Sequence, residues 1–167
     1  MAGSKNKKKD IEVNLKNCLS NAQKVVIAGI GNPLRKDDVV GVEIARNLQN
    51  KVSKSVYLIE CETVPESFIE PISDFKPTHI LVIDAAMLSL KPGSSKLIEP
   101  SQMVNQSAIS THGLPLRIFC EYLAKTTGAK IALLVIQPKD TDFGEGLTPK
   151  LRETATTLTN LLSKFLP

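Results

Sequence analysis

The chain has 167 residues, 42% hydrophobic and 23% charged, the make-up of one ordinary globular domain. Its net charge of +4 equals that of Lys5, Lys7, Lys8 and Lys9, so the remainder is neutral and no basic face for nucleic acid is implied. No secretory signal or bilayer-length apolar run is present, and Cys18, Cys61 and Cys120 are scattered without C-x-x-C spacing, so a reducing cytoplasm and no thiolate metal site are expected.

Residues 1–10 are expected to form a disordered basic tail, and 11–167 a single α/β domain. Ile11, Leu15, Cys18 and Leu19 fall at helical spacing and predict a short helix. KVVIAG (24–29) is a continuous apolar run closed by glycine and predicts a buried strand. Val40, Ile44 and Leu48 give one helix face, SVYLIEC (55–61) a second strand, and PESFIEPISDF (65–75) a short helix despite Pro71. THILVIDAA (78–86) is a third strand, LKPG (90–93) a turn, and SKLIEP (95–100) a short strand. A helix over 114–125 and a strand at KIALLVIQP (130–138) follow. Thr148 before Pro149 marks an N-cap with proline at the first helical position, and Leu151, Leu158, Leu161, Leu162 and Phe165 face one side of the last helix. Buried strands alternating with amphipathic helices predict a three-layer α/β sandwich, a mostly parallel central sheet with helices on both faces. Ligands in such folds sit at the carboxyl ends of the strands.

The loop GIGNPLRKDD (29–38) leaves the first strand with two glycines, but it is not a dinucleotide loop. Leu34 stands where the third glycine belongs, and two carboxylates at a helix start repel phosphate. Taken alone, Asp38 reads as a helix N-cap, and Asp37 as a cap or a solvated charge. Asp84 changes the balance. It ends a strand that should be central, where a carboxylate is costly unless paired. It is either a buried acceptor of loop N–H groups or a ligand or general base at the carboxyl edge. His112 lies in the polar segment STHG before a helix, on an edge that periodicity leaves undecided; His79 begins a strand and reads as an ordinary edge residue. Asp, Asp and His together make an N/O donor set with free positions, the composition of a metal centre that works on a substrate.

These residues belong to a series of motifs in order: GIGNPLRKDD with Gly41 behind it, PES (65–67), KPTHILVIDAA (76–86), LKPGSSKLIEP (90–100), STHGLPL (110–116) and IQPKDTDFGEGLTP (136–149). The series resembles the hydrogenase maturation endopeptidases, which trim the C-terminal extension from the large subunit of nickel–iron hydrogenases. HGLPL and IQP look most like the branch serving hydrogenase 3 of formate-hydrogenlyase type. The resemblance implies a cytoplasmic endopeptidase whose metal-contacting and catalytic positions fall on Asp38, Asp84 and His112. It implies that nickel arrives with the precursor, although other divalent cations could occupy the site, and that no serine or cysteine nucleophile is needed. The partner implied is the large-subunit precursor, met by a monomer, with no nucleic acid and no membrane insertion. Gly31, Asn32, Gly113, Phe143 and Gly144 are the candidate substrate-binding residues, since the glycine loops and 140–146 should border the peptide groove. The family usually has glycine after the acidic pair and small residues after the second strand; here Val39, Cys61 and Glu62 stand.

Two rivals accompany this reading. Cys61 could pair with His112 as a thiol protease, though a buried small hydrophobe is the blander role; Ser110 or Thr111 would be weaker nucleophiles. Alternatively the protein is a nickel-sensing chaperone or scaffold that docks the large subunit without cleaving it.

Overall fold

The computed structural model describes residues 2–104 and 113–167. Five strands form the central layer: β1 (Val25–Ile30), β2 (Val56–Glu62), β3 (His79–Ala85), β4 (Ser95–Ile98) and β5 (Lys130–Ile136). Their spatial order is β2-β1-β3-β5-β4. The first four neighbours pair in parallel, and only the short edge strand β4 runs antiparallel, against β5. This is the expected mostly parallel sheet. Among the described residues the α-helices are α1 (Ala2–Leu19), α2 (Val40–Asn47), α3 (Ile69–Phe75), α4 (Gly113–Thr127) and α5 (Pro149–Phe165).

Strand alternation divides the core into two layers. Val25, Ile27, Leu81, Ile83, Ala132 and Leu134 pack against α1, α2 and α5 through Leu15, Ile44 and Leu158. Val26, Ala28, Ile80, Val82, Leu133 and Val135 pack against α3 and α4 through Ile72, Phe119 and Leu123. Burial on both faces explains why β1, β3 and β5 read as continuous apolar runs.

The elements lie where hydrophobic spacing puts them, with two differences of detail. The lysine-rich segment expected to be a disordered tail forms the first turns of α1, with its lysines exposed. It extends the helix whose Ile11, Leu15 and Leu19 are buried in the core. Residues 65–75 divide into a tight turn, Pro65–Phe68, and the helix Ile69–Phe75. Pro71 sits in the first turn of that helix, where its missing N–H has no intrahelical partner to lose. Among the described residues no helix is long and apolar enough to cross a membrane.

Candidate active site

The chain passes from β1 to β2 on one side and then crosses to β3 on the other. The carboxyl ends of β1 and β3 therefore flank the crevice where open α/β sheets bind ligands. Asp38 follows β1 and Asp84 lies one residue from the end of β3, so this crevice has a carboxylate from each side. Both are buried, at 2% and 0% exposure. Asp84 continues the alternation of Ile80 and Val82 toward the α3 and α4 face, opposite Val135 of β5.

Two glycines make the approach possible. Gly31 has φ +151°, a conformation open to glycine and strained for other residues. A Cβ on it would run into the carbonyl oxygen of Asp38 and lie 2.8 Å from Val39 Cα. A Cβ on Gly41 would strike the carbonyl oxygen of Ile83 and come within 2.6 Å of that of Ile30. The start of α2 thus lies flush on the backbone of β1 and of β3 at the residue before Asp84. The tight turn Lys36–Val39 that carries Asp38 packs on β3.

Asp38 is not the N-cap its position suggested. It lies inside the Lys36–Val39 turn, and its Oδ2 accepts the backbone N–H of Asn32 at 2.9 Å. Asn32 Oδ1 in turn accepts the N–H of Leu34 at 2.9 Å, so Asn32 organises its own loop. Val39, where the family usually has glycine, has φ −81° and ψ −1°, right-handed backbone that a β-branched residue adopts without obstruction. Glu62 is the costlier departure, with a left-handed φ of +52° at the end of β2. Its carbonyl accepts the N–H of Gly31, and the β1–β2 register skips Cys61 beside it.

Asp37 is neither a cap nor a solvated charge. It is wholly buried and accepts four hydrogen bonds. The donors are the N–H groups of Lys139 (3.0 Å), Asp140 (3.1 Å) and Thr148 (2.7 Å) and the Thr148 hydroxyl (2.8 Å to the nearer oxygen). Thr148 holds the N-cap position of α5 as expected, but its hydroxyl serves Asp37 instead of its own helix. Lys36 Nζ lies 2.8 Å from Asp140 Oδ2. That bond, first among the causes, raises the Lys36 pKa and lowers that of Asp140. The loop 139–148 is thereby fastened to the loop 31–38, with Gly144 bridged to Arg35. Phe143 stands on it 79% exposed, next in the chain to Gly144, whose N–H donates to the carbonyl of the half-exposed Leu34.

His112 lies outside the described residues, as do Ser110 and Thr111. Among the described residues no three His, Cys, Asp or Glu side chains are grouped to hold a metal ion. The chain neighbour of His112, Gly113, opens α4, which returns through Gly128 and Ala129 into β5. A helix that enters its strand from the amino end begins at the carboxyl edge, so Gly113 belongs to the same edge as Asp38 and Asp84. His79 lies at the opposite edge; burial, and then the charge of Lys130, lower its pKa. The thiol-protease alternative meets a wholly buried Cys61 whose pKa is pushed up to about 12, first by burial and then by Glu66. Such a thiol is not a ready nucleophile.

Gln137 was not singled out in the sequence. It is 5% exposed, accepts the N–H of Leu88 at 2.6 Å and donates to the carbonyl of Pro138 at 3.1 Å, holding the loop that follows Asp84. Its signal was the one that marked Asp84, a polar residue at the end of an apolar strand.

A family model described as hydrogenase maturation protease matches residues 42–164, which include Asp84 and His112 but not Asp38. A Methanocaldococcus jannaschii protein bearing a provisional hydrogenase maturation protease name is 42% identical over 133 residues, 75% of this chain and 78% of its own. The hydrogenase 3 maturation protease of Escherichia coli K12 is 26% identical, over 80% of this chain and 85% of its own. The crystal structure of a NiFe hydrogenase maturation protease from Thermococcus kodakarensis superposes with a TM-score of 0.85 at 34% identity, covering 91% of this chain and 97% of that one. The chain belongs to the hydrogenase maturation protease family.

Proposed function

We propose that Asp38, Asp84 and His112 form one cation-engaging site that reads nickel already seated in a hydrogenase large-subunit precursor and aligns the C-terminal peptide for hydrolysis. Family membership makes the chain a protease, and cleavage at the C-terminus of the large subunit is the family's role. What supports the site assignment is a pair of buried carboxylates, Asp38 on the turn after β1 and Asp84 on β3, at the two sides of the switch-point crevice. The donor chemistry fits the ion: two carboxylate oxygens and an imidazole suit a borderline divalent cation and leave positions for substrate. Burial supports the fit, because carboxylates in a low-dielectric crevice gain more from an incoming cation than exposed ones do.

In this reading the ion belongs to the substrate and supplies positive charge beside the scissile carbonyl. Asp38 and Asp84 recognise that charge and fix the precursor's tail against the sheet edge. One of them accepts the proton of the attacking water and then delivers it to the departing amine as the C–N bond breaks. Gly31, Asn32 and Gly113 line the backbone at this edge, and Phe143 with Gly144 forms the outer wall of the groove. The scattered free cysteines support a cytoplasmic setting for this reaction.

The test is the mass of nickel-loaded precursor after incubation with Asp38→Asn, Asp84→Asn or His112→Ala protein, each paired with a thermal melt. Each variant is expected to retain a cooperative melt and leave the precursor uncut. Full processing by a folded Asp84→Asn protein contradicts the assignment. A wild-type protein that binds the precursor without changing its mass would instead be a scaffold.

A further inference from the structure

Asp37 is a wholly buried, fully hydrogen-bonded carboxylate of the carboxyl edge, and the reading of Asp38, Asp84 and His112 gives it no part. Four donors, all from residues 139–148, converge on it. The backbone repeats the attachment: Asp37 N–H donates to the Asp140 carbonyl at 3.0 Å, Lys36 N–H to the Gly144 carbonyl at 2.9 Å, and Gly144 N–H to the Leu34 carbonyl at 2.8 Å. The Lys36–Asp140 ion pair closes the outside. This is far more than a surface loop needs to stay ordered. What it holds is a lip on which Leu34 and Phe143 meet solvent, at 49% and 79% exposure. A phenyl ring so exposed gains nothing for the isolated fold. It is rigidly based because Gly144, the next residue, is bonded on both sides to the loop that bears Asp38.

We propose that Asp37 is a positioning residue for the peptidase reaction: it locks the 139–148 loop to the Asp38 turn, so that Leu34 and Phe143 form a preset apolar lip for the precursor's C-terminal segment. This rests on the peptidase reading above. The lip fits an extended peptide that sets an apolar side chain against the phenyl ring while its scissile bond reaches the buried carboxylates. Fixing the lip beforehand spares the ordering entropy a loose loop would lose on binding, so the clamp acts on substrate affinity more than on the chemical step. Because its charge is taken up by four donors, Asp37 does not compete for the cation, and the adjacent acids have separate tasks.

The experiment is a double-mutant cycle on processing of nickel-loaded precursor, with amide exchange of the free protein beside it. Asp37→Asn replaces one acceptor oxygen with a donor that faces N–H groups. It is expected to raise KM about tenfold with kcat changed less than about threefold, and to speed exchange at Asp140, Gly144 and Thr148. In a Phe143→Ala background the same change should raise KM less than about twofold, because the lip it positions has lost its ring. Thr148→Val, which removes only the hydroxyl donor, should show the same pattern more weakly and serves if Asp37→Asn does not fold. Equal effects on KM with and without Phe143, or unchanged exchange at the three amides, overturn the proposal and leave Asp37 a fold-stabilising acid. If the wild-type protein leaves the precursor's mass unchanged, the peptidase reading falls and this role with it, whereas the exchange data still report whether the clamp exists.

Discussion

Gly41 shows how a single residue sets the site. Its backbone rests on the carbonyls of Ile30 and Ile83, and a Cβ has no flexible neighbour to displace. Gly41→Ala should therefore push α2 off the sheet and destabilise the fold by about 1–3 kcal/mol, read by chemical denaturation, with processing reduced further because Asp38 moves with the helix. The cysteines give a second prediction. Burial first, then the charge of Glu66 at Cys61 and of Glu121 at Cys120, pushes both thiols up to about 12 from 9.0. A thiol pKa raised in the fold makes a contribution to stability that is fully present below pH 9.0 and is lost as pH rises through about 12. At pH 8 an alkylating reagent should modify the half-buried Cys18, leave Cys61 and Cys120 untouched, and leave processing unchanged, as peptide mapping and the precursor assay would show. Loss of activity on alkylation of Cys61 would revive a thiol mechanism.

Among the elements, the clamped pair of loops has its own pH signature. The hydrogen bond from Lys36 lowers the Asp140 pKa, so that group's contribution is present above the ordinary carboxylate value and is lost as pH falls through the lowered one. The bond to Asp140 raises the Lys36 pKa, so its contribution is present below the ordinary lysine value and is lost as pH rises through the raised one. Protection of the Gly144 amide, expressed relative to intrinsic exchange, should be flat near neutrality and fall at acid pH, and Lys36→Met should remove the acid dependence. This part of the molecule was the least legible in sequence. Strands and helices announce themselves by period, and β1, β3, β5 and α5 lie within a residue or two of where spacing placed them. Asp37 and Asp38 are neighbours of one residue type, and nothing local tells that one faces a loop over a hundred positions away. Thr148 was legible as a cap position but not as a donor to Asp37, for the same reason. Sequence spacing records local geometry; the partner of a buried polar group is a tertiary fact.

For the molecule as a whole, the topology assigns the site its place. In the β2-β1-β3-β5-β4 order the parallel strands wind outward in opposite directions from the β1–β3 boundary, and the buried carboxylates stand on either side of it. The sheet edge, and Asp84 as a buried carboxylate on it, were readable from the apolar run alone. The order of the strands was not, because parallel pairing leaves no mark on the runs themselves. In the proposed reading this edge cleaves the precursor only when the precursor presents its cation. The mass spectrum of the large subunit tests it most directly, with nickel-loaded and nickel-free precursor offered in parallel to the wild-type and Asp84→Ala proteins. Loss of the C-terminal extension from the nickel-loaded precursor alone, and only with the wild-type protein, is the predicted result. Equal trimming of the nickel-free form, or full trimming by a folded Asp84→Ala protein, would contradict it.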